Sequence, residues 1–65
     1  MNILLNGEQK EVEAATIAGL VESLALPAAT LLVEHNGLAL HRDEWPLRSL
    51  HPGDRVEIIR IVAGG

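Results

Sequence analysis

The sequence predicts an α+β domain in which one main helix lies across one face of a single mixed sheet of four to five strands. Three observations predict it. Nearly continuous apolar runs near both ends of the chain, Ile3-Leu4-Leu5 and Val56 to Val62, read as strands buried on both faces that pair in parallel at the sheet centre. Asn6-Gly7 and Asn36-Gly37 are strong hairpin signals, because the two-residue type I′ turn requires φ > 0 at both central positions. Ile17, Leu20, Val21 and Leu24 recur at i, i+3, i+4 and i+7, the buried stripe of a helix.

In chain order, Asn2 to Asn6 is a first strand, and Lys10 to Glu13 returns as an edge strand whose charges around Val12 guard against stray pairing. Thr16 is placed to cap the helix, and Pro27 to close it. Gly19 costs up to about 1 kcal/mol relative to Ala in a helix, so its presence predicts a close approach to the sheet beneath. Thr30 to His35 and Leu38 to Leu40 flank the second hairpin turn. Arg42 to Pro46 is a polar turn, after which Leu47 and Leu50 are expected to drop toward the core. His51-Pro52-Gly53-Asp54 then turns the chain into the last strand.

A chain of 65 residues forms one domain, residues 1–65, at the small end of what folds unaided. It has no cysteine, so no disulfide framework, thiolate metal cluster or thiol nucleophile is available. The 48% hydrophobic content must supply the core with one aromatic residue, Trp45. A net charge of −4, with only five scattered Lys and Arg, argues against nucleic-acid binding and favours a basic partner surface. The N-terminus has no signal-peptide pattern and no apolar run reaches membrane-spanning length, so a cytoplasmic protein without a membrane partner is expected.

The last strand runs directly into Ala63-Gly64-Gly65. Two glycines admit almost any φ/ψ and present no side chain, so a mobile stem slim enough for a narrow channel is expected, with the Gly65 carboxylate as the candidate reactive group. Strand alternation points Ile3, Leu5, Val56 and Ile58 at the helix and leaves Leu4, Ile59 and Ile61 on or near the opposite face. No second helix is available to cover that face. With Val62 at the root of the tail, it is a candidate docking surface for a larger protein.

These features together resemble the ubiquitin-like, β-grasp sulfur carriers, and most closely the ThiS family of thiamine thiazole biosynthesis. The likeness covers the whole chain. It rests on Met1-Asn2-Ile3-Leu4-Leu5-Asn6-Gly7, Val33-Glu34-His35-Asn36-Gly37, Arg42-Asp43-Glu44-Trp45 with its Arg-x-x-Trp spacing, Pro52-Gly53-Asp54, and above all Ile61-Val62-Ala63-Gly64-Gly65. The resemblance implies that an E1-like, ThiF-like adenylyltransferase activates the Gly65 carboxylate with MgATP. A sulfur donor enzyme then yields a thiocarboxylate, which gives its sulfur to a ThiG-like thiazole synthase. The carrier would be a protein cosubstrate with no catalytic residue, cofactor or metal of its own, and with its carboxylate already exposed at the encoded end. A Gly-Gly end is shared by several carriers, so delivery to tRNA thiolation or molybdopterin synthesis, a lysine-conjugating modifier, and an interaction domain with an inert tail are the alternatives.

Other polar residues suggest less. His35, His41 and His51 match no metal-ligand spacing and read as turn or surface histidines. Asp43, Glu44, Asp54 and Glu57 fall in turns or on an exposed strand, where solvated charges facing a partner's Arg or Lys are expected rather than an acid-base pair. Trp45 fits a core plug or an interface anchor equally.

Overall fold

Residues 1–61 are described by the computed structural model of the chain. Five strands, β1 (Asn2–Leu5), β2 (Glu8–Glu11), β3 (Leu31–His35), β4 (Leu38–Leu40) and β5 (Arg55–Arg60), form one sheet in the order β2-β1-β5-β3-β4. Helix α1 (Ile17–Ser23) crosses one face. Short 3₁₀ turns occupy Ala28–Thr30 and Arg42–Leu47. The central pair β1 and β5 is parallel, and every other pairing is antiparallel. The α+β mixed sheet read from the sequence is therefore the observed fold.

Both Asn-Gly turns adopt the expected conformation, with φ of 51° and 82° at Asn6 and Gly7 and 51° and 86° at Asn36 and Gly37. Each asparagine also grips β5. The Ile58 N–H donates to Asn6 Oδ1 at 2.8 Å, and Asn6 Nδ2 donates to the Ile58 carbonyl at 3.3 Å, as a further strand residue would do. From the other side the Arg55 N–H donates to Asn36 Oδ1 at 2.8 Å, and the Asn36 N–H to the Arg55 carbonyl at 2.8 Å. The terminal strand is thus clasped by the two turns that shape the hairpins.

The core packs α1 on the sheet. Ile17, Leu20 and Val21 from the helix meet Ile3, Val33, Val56 and Ile58, all buried. Leu5 is half-buried on the same side. Thr16 caps the helix as the sequence predicts, its Oγ1 accepting the Gly19 N–H at 3.1 Å. Trp45 is buried as a core plug, which decides between its two readings.

Four expectations need correction. The second strand is Glu8–Glu11, two residues earlier than Lys10–Glu13, because a two-residue turn sets Glu8 directly opposite Leu5. Gly19 does not approach the sheet: an added Cβ would meet Ala14 Cβ at 3.4 Å and Thr16 Oγ1 at 3.5 Å, both on the chain entering the helix. Leu47 is 81% exposed, because its 3₁₀ turn buries Trp45 instead, while Leu50 does reach the core. Helix α1 ends before Pro27: Leu24 is its C-cap and Ala25 follows at φ 56°.

That left-handed Ala25 occupies the position usually held by glycine, where a Cβ crowds the backbone. Ala25→Gly is expected to raise stability by about 0.5–1 kcal/mol, read from the midpoint of chemical denaturation.

Candidate functional site

The sheet face away from α1 has no covering element among the described residues. Alternation along β3 and β5, where Leu31, Val33, His35, Val56 and Ile58 are buried, turns Leu32, Glu34, Glu57 and Ile59 outward. Leu32 stands directly opposite Ile59, and Glu34 directly opposite Glu57. Leu32 is 53% exposed and Ile59 51%, so two large aliphatic side chains share a cross-strand site open to water. Ile61, also 51% exposed, follows two residues after Ile59, and its N–H closes the β3 ladder on the Thr30 carbonyl at 2.7 Å. The apolar patch therefore lies where β5 leads out toward the tail.

Of the docking residues expected from the sequence, Ile59 and Ile61 lie at this patch. Leu4 is half-buried and pairs with Arg55, four residues back along β5, so it belongs to the same face at the other end of the strand. Val62, Ala63, Gly64 and Gly65 lie outside the described residues. Leu32 was not read as part of this face. The signal was the adjacent pair Leu31-Leu32, which alternation must divide between the two faces.

A second polar cluster sits at the far end of β3 and is structural in character. His35 is buried, with Nε2 2.7 Å from Asp54 Oδ2 and Nδ1 3.3 Å from an Arg48 terminal guanidinium nitrogen. A guanidinium only donates, so Nδ1 is the acceptor and Nε2 carries the hydrogen given to Asp54. Asp54 also accepts the His51 N–H at 2.8 Å and the Asn36 side-chain amide at 3.1 Å. Partial burial pushes the Asp54 carboxyl up, but the hydrogen bonds from His35, His51 and Asn36 together outweigh it and hold it at about 2 against an ordinary 3.8. His35 is thus no surface histidine and Asp54 no solvated charge. The adjacency of β3 and β5 brings together residues nineteen apart. His41 and His51 are exposed, as expected.

Because its folded value is depressed, Asp54 adds stability above the unfolded carboxylate pKa and loses it as pH falls through about 2. We expect about 2 kcal/mol to disappear between pH 4 and 2, and Asp54→Asn to flatten that part of a stability–pH profile. Among the described residues no three His, Cys, Asp or Glu side chains assemble as a metal site. No helix among them is long and apolar enough to cross a membrane.

A single helix laid over a five-stranded sheet, with a central parallel pair of first and last strands, defines the ubiquitin-like β-grasp class. Within that class the chain belongs to the ThiS family, whose model matches residues 3–65. It is similar to the thiamine biosynthesis protein (ThiS) of Geobacter metallireducens. The crystal structure of that protein superposes with a TM-score of 0.84 at 30% identity, covering 100% of both chains. Its solution structure gives 0.82 at 30% identity, covering 100% of this chain and 88% of that one. No curated protein matches by sequence. The family resemblance drawn from the residues is borne out.

Proposed function

We propose that the chain is a sulfur carrier of thiamine biosynthesis and that its business end is the Gly65 carboxylate. A carboxylate is a poor electrophile, so an E1-like, ThiF-like enzyme first joins it to AMP from ATP with release of pyrophosphate. Sulfide-level sulfur from a donor enzyme then attacks the acyl-adenylate carbonyl and displaces AMP, which leaves with one of the two carboxylate oxygens. A ThiG-like thiazole synthase accepts that sulfur. Leu32, Ile59 and Ile61 on the open face, with Val62 beyond them, seat the body on its partners while Ala63, Gly64 and Gly65 extend into the active site. Leu4, at the other end of the face, borders the contact.

The observation that carries this reading is the family match, which runs from Ile3 through Gly65 and so includes the glycines as well as the folded body. The test is intact mass after incubation with a ThiF-like enzyme, ATP and a sulfur donor. A gain equal to the difference between one sulfur and one oxygen, localised to Gly65, is expected. An adduct joining Gly65 to a lysine would replace this reading with that of a conjugated modifier, and an unchanged mass would remove it.

A further inference from the structure

We infer that the activating enzyme proposed above meets the open sheet face with a cationic side chain, an arginine or lysine, set between Glu34 and Glu57. The inference rests on the carrier reading and names the recognition chemistry of its docking face. Glu34 and Glu57 are exact cross-strand partners on the central strands β3 and β5, both exposed, next to the Leu32–Ile59 pair. Directly opposed residues on one face hold their Cβ atoms about 4.5–5.5 Å apart, and like charges there destabilise the sheet. Neither carboxylate has an ion-pair partner among the described residues: the three pairs found there involve the N-terminus with Glu11, and Asp54 with His35 and His51. Arg55, on the same strand and face, makes none either.

The free domain therefore holds two carboxylates without an ion-pair partner among the described residues, beside an exposed apolar pair. A partner bringing one cation over the carboxylates and an apolar surface over Leu32 and Ile59 would satisfy both at once. A second copy of this chain fits less well: stacking the same face on itself sets two Arg55 guanidiniums against four carboxylates and leaves the contact net negative, on a protein of net charge −4. Charge complementarity thus selects a basic partner surface, and opposite charges at such a rim act mainly on the rate of encounter and its salt dependence.

The test is the double variant Glu34→Gln/Glu57→Gln in an adenylation assay with a ThiF-like enzyme, measured over a range of salt concentrations. Against the unmodified chain, KM is expected to rise about tenfold and to lose much of its salt dependence, with kcat retained. In the free protein the same variant should melt roughly 1–5 °C higher, since it relieves the repulsion. A KM and salt slope unchanged from the unmodified chain would overturn the inference. So would sedimentation of the unmodified chain as a dimer that tightens when these glutamates are replaced, which would assign the face to a second copy. Failure of the unmodified chain to be adenylated at all would instead strike the carrier reading on which the inference stands.

Discussion

Deleting Gly65 is expected to reduce thiocarboxylate formation by more than a hundredfold while leaving the folded body intact. The truncated chain still ends in a glycine carboxylate, that of Gly64, so its chemistry is preserved and only its reach changes. One residue of extended chain spans about 3.5 Å, whereas a displacement of about 1 Å at a reacting centre can already cost a hundredfold. The buried core lies between Ile3 and Ile58, and the β3–β5 ladder closes at Ile61. The denaturation midpoint should therefore correspond to a change below about 0.5 kcal/mol. Mass spectrometry of the activated product and chemical denaturation of the free protein separate the two effects. Full activity in the truncated chain would show that reach is not what the tail provides.

The second large effect contrasts neighbouring residues on one strand. Ile58→Ala is expected to cost about 2–5 kcal/mol, because Ile58 is 9% exposed and packs in the cluster with Ile3, Leu20 and Val33, which can close over only part of the space left behind. A domain of this size has roughly 3–10 kcal/mol in total, so much of the population would unfold on warming. Ile59→Glu, one residue on and turned to solvent, should change stability by less than about 1 kcal/mol. Its effect should appear as weakened binding to the proposed activating enzyme, since a carboxylate would replace half of the Leu32–Ile59 patch. Equilibrium denaturation together with titration against the partner distinguishes the two, and a reversal of the outcomes would mean that the faces of β5 are exchanged.

The parts of this fold that were legible in the sequence are those set by local rules. Thr16 as a cap, the stripe from Ile17 to Val21, and both Asn-Gly turns follow from backbone geometry over a few residues, and each stands where those rules put it. The parity of β5 was legible too, because alternation admits one assignment once Val56 and Ile58 are inside. The His35–Asp54–Arg48 cluster was not. Its members are separated by 13 and 19 positions and meet only because β5 inserts between β1 and β3. Glu34 opposite Glu57 was hidden for the same reason: cross-strand register is a tertiary fact. Leu47 misled because its spacing from Leu50 fits one helical turn, but burial of the larger Trp45 decided which side of the 3₁₀ turn faces inward.

The asparagine clasps have a mechanical consequence. Any pull on the chain beyond Ile61, as the proposed carrier function would require, is taken up along β5, which is laced to β1 on one side and β3 on the other and pinned by Asn6 and Asn36. Tension directed down a strand held on both flanks strains many hydrogen bonds together in shear instead of peeling them off singly. The expected consequence is a body that resists unravelling from its C-terminal end.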